Sequence, residues 1–118
     1  MITLTIPELP ESLNKILNWH WTKRKKYKDR CHLLVRSEIN RLGLTRIKGS
    51  VIIHWLFVFD NKHRHDWTNY VSGTKWMEDA LVVGGIIEDD NMGVIKSVEY
   101  DWDIGKERKT IITIRSVK

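Results

Sequence analysis

A single cysteine, Cys31, and two prolines stand in 118 residues, and each scarcity closes off a class of protein. With no second cysteine, an intramolecular disulfide, a CxxC zinc cluster and c-type haem attachment are all excluded. A lone thiol also suits a reducing compartment, so a cytoplasmic location is expected. Long apolar runs are missing too. The longest, Val51 to Phe59, is interrupted by His54 and is far too short to cross a bilayer, so no membrane partner is expected. Residues 1–7 have neither the basic start nor the small-residue cleavage site of a secretory signal. No internal repeat, linker or low-complexity tract divides the chain, and its length is that of one domain, residues 1–118. At 42% hydrophobic and 30% charged it has the composition of a folded globular protein. A chain of this size buries roughly two-thirds of its unfolded surface, enough for one modest core.

Positive charge is abundant, and it is concentrated. The net charge is +5, but the stretch from Trp19 to Lys48 holds ten bases against Asp29 and Glu38, a local +8 that leaves −3 for the remainder. An excess of this size attracts polyanions and makes binding salt-dependent. Lys23, Arg24, Lys25, Lys26, Lys28 and Arg30, together with Arg64 in a basic loop further on, are the expected nucleic-acid contacts. Trp19, Trp21 and Tyr27 are interleaved with the first of these, and such rings stack on bases or sugars. The same charges also suit a solvated helix face that keeps the protein in solution. The signal points to nucleic acid and is silent about chemistry.

Periodicity supplies a coarse fold. Ile2 to Ile6 alternates as a short strand, stopped by Pro7 and Pro10. Residues 12–21 are irregular or a helical turn. A helical spacing runs from about Thr22 to Leu42, with Gly43 at the stop position. Val51 to Phe59 is apolar on both faces and reads as a central strand covered on both sides. A second helix is expected from about Thr68 to Val83, with Val71, Thr74, Met77 and Leu81 inward and Gly84-Gly85 ending it. Alternation from Val94 to Trp102 puts Val98, Tyr100 and Trp102 on one face; residues 104–108 turn, and residues 110–117 close the chain as a strand. The order β-α-β-α-β-β predicts an α/β (α+β) domain: one mixed sheet with about two helices packed on it.

Chemistry is concentrated between His63 and Asp90. Asp66 stands where a basic loop meets a helix start, Asp89 and Asp90 precede a strand, and Lys75 and Asp79 share a helix face. Hard carboxylate oxygens with open positions suit Mg²⁺ or Mn²⁺. A neighbouring ammonium, Lys75, suits the charge that develops on an attacked phosphate. Each residue also has a plain structural use. Asp66 is a good helix cap, Asp89-Asp90-Asn91 is good turn chemistry, and Lys75 with Asp79 makes a weak surface ion pair. His63 and His65 flank Arg64 in a basic loop and are expected to face phosphate or solvent rather than to ligate zinc. Asp66 and the Asp89-Asp90 pair lie at opposite ends of the second helix. They converge only if loops fold over the sheet or a second subunit contributes.

The run Asp66-x-x-Asn69-x5-Lys75-x3-Asp79-Ala80-Leu81-x3-Gly85-x3-Asp89-Asp90 resembles the core signature of the RusA family of Holliday junction resolvases. Pro10-Glu11-Ser12-Leu13-Asn14 and the later His20-Trp21 resemble its N-terminal pattern. The resemblance extends from Ile2 to the last strand and is most specific from Lys75 to Asp90. It implies a magnesium-dependent endonuclease, with manganese as an alternative, acting as a homodimer on four-way DNA junctions in recombination and repair. Such proteins are often encoded by phages or prophages. By resemblance, Asp66 and Asp90 match the acids that bind Mg²⁺, and Asp89 is the companion of Asp90. Lys75 matches the functional lysine, while Asn69 and Asp79 match residues that shape the site. Some members carry a second acid where Thr68 stands here. The loss of that ligand implies that Asp79 or Asp89 substitutes for it, or that metal is held less tightly. A non-catalytic nucleic-acid-binding descendant is the alternative.

Overall fold

A computed structural model describes residues 1–62 and 65–117. Its elements are β1 (Ile2–Ile6), α1 (Leu13–Leu17), α2 (Trp21–Leu42), β2 (Val51–Phe59), α3 (Trp67–Gly73), α4 (Lys75–Val83), β3 (Ile95–Ile104) and β4 (Lys109–Ser116). The strands form one mixed sheet in the order β1-β4-β2-β3. β2 runs parallel to β3 and antiparallel to β4, and β1 is antiparallel to β4. This is the expected α+β architecture, with β2 in its interior.

The alternation in each strand decides which side the helices cover. Leu4 and Ile6 of β1, Ile53, Trp55 and Phe57 of β2 and Ile112 and Ile114 of β4 share one face and are fully buried. Against them lie Cys31, Val35 and Ile39 of α2 and Met77, Ala80 and Leu81 of α4, and α2 also packs on α4. Each large side chain removed from water here stabilises by about 1.5–3 kcal/mol. Among the described residues the other face has no helical layer, so the expectation that β2 is covered on both sides is corrected. Ile52, His54 and Leu56 are only partly buried. Beside them, His54 Nε2 meets Asp101 Oδ2 at 2.7 Å and Arg115 pairs with Glu99 at 3.1 Å. A continuous apolar run does not reveal a one-sided strand, because Ile52 and Leu56 look like core in sequence.

The long helix follows expectation. His20 caps it by accepting from the Thr22 N–H at 3.3 Å, and Gly43 ends it in the left-handed region at φ 62°, where glycine has no β-carbon to strain. Glu38 accepts from the Thr5 N–H at 3.0 Å, tying α2 to edge strand β1. The Arg41 guanidinium bonded to it holds its carboxyl below the usual range.

The second helix differs from expectation: it is two helices, broken at Thr74. The Thr74 hydroxyl donates to the Val71 carbonyl at 2.7 Å, a local bond that competes with helix continuation. Just before it, Gly73 presses on the chain leading to α1. A β-carbon at Gly73 would overlap the Glu11 carbonyl oxygen. Thr74, Met77 and Leu81 are buried, as the stripe predicts.

β3 and β4 flank β2 rather than pairing with each other. The link between them passes over the end of β2, where the Gly105 N–H donates to the Phe59 carbonyl at 2.8 Å. Among the described residues no helix is long and apolar enough to cross a membrane.

Candidate functional site

The basic segment becomes an overhanging helix. α2 has 22 residues, about 33 Å at 1.5 Å per residue, yet its first buried residue is Cys31. Residues 21–26 are exposed on every side while Tyr27 packs against the core, and Lys23, Arg24, Lys25, Lys26, Lys28 and Arg30 are all exposed. They are not equally available. Lys25 pairs with Asp29 at 3.0 Å, Arg30 pairs with Glu8, and the Lys23 ammonium sits 4.4 Å from the Trp19 ring centroid. Arg24, Lys26 and Lys28 form no ion pair among the described residues. Trp19 packs edge-on against Tyr27 at 5.7 Å, and the Tyr27 hydroxyl accepts from the Glu11 N–H at 3.0 Å. Those two rings brace the overhang, while Trp21 is 61% exposed. Burial pushes the Cys31 thiol up to about 11, so the single cysteine is a packing residue. Arg64 and His63 lie outside the described residues.

The acidic residues are set by three local structures. Asp66 occupies the cap position of α3 without a side-chain cap bond; its Oδ1 accepts from the Thr68 hydroxyl at 2.9 Å. Neighbouring His65 and Trp67 attach it near the Phe57–Phe59 end of β2. Asn69 reaches Ser12 through a 3.4 Å side-chain bond, which joins two segments far apart in the chain. Asp89 accepts from the Asp90 N–H at 2.7 Å and from Asn91 at 3.1 Å, and the first of these holds its carboxyl below the ordinary value. This loop hangs from the Val51 end of β2: Glu88 accepts from the Gly49 N–H at 3.3 Å, and the Val51 N–H donates to the Val94 carbonyl at 2.7 Å.

The charge of Asp90 is felt in the first turn of α4. Glu78, half-buried there, has its carboxyl pushed up by burial first, then by the charges of Asp90 and Asp79, with Lys75 opposing. Lys75 is exposed and forms no ion pair among the described residues, so the expected pair with Asp79 is absent. Glu78 is the member that sequence reading missed. Its only signal is its place one turn after Lys75, and spacing does not reveal burial. Among the described residues no group of three or more His, Cys, Asp or Glu side chains is arranged to hold a metal ion. The charges of Asp90, Asp79 and Lys75 are thus all felt at Glu78, while Asp66 stands at the opposite end of β2 from the Asp89-Asp90 loop, so within one chain the described residues do not bring these acids together.

A cavity of about 570 Å³ opens beside Asp66, lined by Phe59, Asn61, Lys62, His65, Trp67, Tyr70, Tyr100, Asp101, Trp102 and Ile104. It lies at the carboxyl ends of the parallel pair β2 and β3, a usual place for ligands in parallel sheets. His65, expected to face phosphate or solvent, is half-buried among local partners. Its ring stacks on Phe59 at 3.9 Å and bonds Asn61 at 3.1 Å and the Tyr70 hydroxyl at 3.3 Å. The aromatic lining was invisible in sequence because positions 59, 67, 70, 100 and 102 meet only through the sheet. Trp76 packs against the core, whereas Trp67 stands at this cavity, 39% exposed. No protein-family model matches the chain, and comparison with curated proteins returns no match.

Proposed function

We propose that this chain is a magnesium-dependent, structure-selective endonuclease of the RusA type, acting as a homodimer on four-way DNA junctions. The observation that supports the reading is that half-buried Glu78 feels the charges of Asp90 and Asp79 beside Lys75, which forms no ion pair among the described residues. Burial raises the Glu78 carboxyl first and the neighbouring charges add to it; a bound cation relieves that added repulsion. The donor set, all carboxylate oxygen, suits Mg²⁺ or Mn²⁺ rather than zinc. Asp90, with Asp89, would hold the ion, which would supply a polarised water and charge neutralisation when bound; Asp66, anchored at the other end of β2, would join them only from the second protomer of the proposed dimer.

The chain's own residues do the rest. The exposed bases of α2 hold phosphates of the junction arms without reading bases, which positions the DNA rather than specifying it. The Lys75 ammonium stabilises charge on the attacked phosphate. A symmetric dimer meets a nearly two-fold junction with two equivalent sites. The hydrogen bonds that engage Asp66 and Asp89 locally favour a second reading, a nucleic-acid-binding module without cleavage.

One experiment separates the two. The purified chain is incubated with a synthetic four-way junction or a linear duplex, with and without Mg²⁺ or Mn²⁺. The nuclease reading expects paired, symmetric nicks confined to the junction and dependent on metal. Asp90→Asn should then slow cutting by about 100-fold or more, the scale of losing one group that stabilises transition-state charge, while junction binding persists or tightens. Binding without cleavage in either metal establishes the module instead.

A further inference from the structure

We infer that the aromatic cavity at the carboxyl ends of β2 and β3 receives an unstacked nucleobase of the bound DNA strand. The inference deepens the nuclease reading and rests on it only for the identity of the polyanion. A volume of about 570 Å³ lies within the range of small-ligand sites, about 300–1,000 Å³. The lining is dominated by flat rings. Trp67 and Trp102 stand at the cavity 39% and 60% exposed, although the helical layer covers the same sheet face elsewhere. Two indoles left in water at one concavity lose burial free energy that a planar ligand would restore.

The polar groups behind the rings are already engaged. His65 bonds Tyr70, and Asp101 bonds His54 across the sheet. The floor is therefore rigid and has little capacity for reading base edges, so recognition is by stacking and tolerates any base. Lys62 supplies a cation beside the rings. Set against the flat rings, that cation favours a ligand carrying both aromatic faces and a phosphate, which a DNA strand provides.

The test compares the octanucleotide dT8 with an abasic eight-residue strand of equal phosphate number, by fluorescence anisotropy with the full chain. dT8 should bind at least tenfold more tightly, and dA8 and dC8 should lie within a few-fold of dT8. Trp102→Ala should reduce dT8 affinity toward that of the abasic strand, while Trp102→Phe should retain most of the preference. Because Trp102 is mostly exposed, both variants should melt close to the parent. Equal affinity for dT8 and the abasic strand overturns the inference, as does an undiminished preference in Trp102→Ala. Junction nicking without a base preference overturns only the cavity's role. A base preference without nicking supports that role and overturns only the nuclease.

Discussion

At the scale of single residues, Glu78 is where the structure has most to say. A carboxyl half-buried beside Asp90 and Asp79 holds its proton more firmly when folded than when unfolded. The folded chain therefore binds more protons than the unfolded one as pH rises above the ordinary carboxyl value of 4.5. Stability is highest below that value and is lost as pH climbs through the raised folded value. Glu78→Gln should melt higher than the parent at neutral pH, with the difference closing as pH approaches 4. Thermal unfolding across that range checks it, and a difference independent of pH would exclude the like-charge account. The turn-forming bonds of Asp66 and Asp89, by contrast, were legible from residue type and position, because aspartate bonds to backbone and hydroxyl groups only a few residues away.

At the scale of elements, the break between α3 and α4 shows where periodicity runs out. The inward stripe through Thr74, Met77 and Leu81 was readable, because burial on a helix follows its repeat. The interruption was not, because it depends on Glu11 pressing against Gly73 from another part of the chain. Gly73→Ala weighs two effects of opposite sign. Alanine favours helix by about 0.5–1 kcal/mol, while forcing a methyl group against packed atoms costs about 1–3 kcal/mol. The obstacle is backbone and cannot rotate away, so the upper part of that cost applies. Net destabilisation of about 2 kcal/mol is expected, seen as a lower urea midpoint with unchanged slope.

At the scale of the whole molecule, the exposed bases of α2 set the salt dependence that the proposed DNA binding should show. Binding through phosphate contacts should weaken linearly in log salt, with a slope near −0.9 per phosphate neutralised. Lys26→Ala and Lys28→Ala should each reduce that slope by about 1, because neither ammonium has an internal partner among the described residues. Lys25→Ala and Arg30→Ala should reduce it less, since Asp29 and Glu8 already neutralise those charges. Affinities measured by titration at several salt concentrations decide this. Equal effects from all four would show that the internal pairs dissolve on binding.

What the chain's order of residues settled alone was everything governed by near neighbours. That includes the strand at Ile2–Ile6, the long helix stopping at Gly43, the central strand at Val51–Phe59 and the local charge that makes α2 basic. Propensity, caps and repeats act over a few residues, so they are written in the sequence itself. Only the tertiary structure decided that one face of β2 lacks helices, that Asp90 approaches Glu78, and that rings from positions 59 to 102 line one cavity. Those facts depend on which distant segments are brought side by side, and strand order and helix packing determine that only once the whole core has closed.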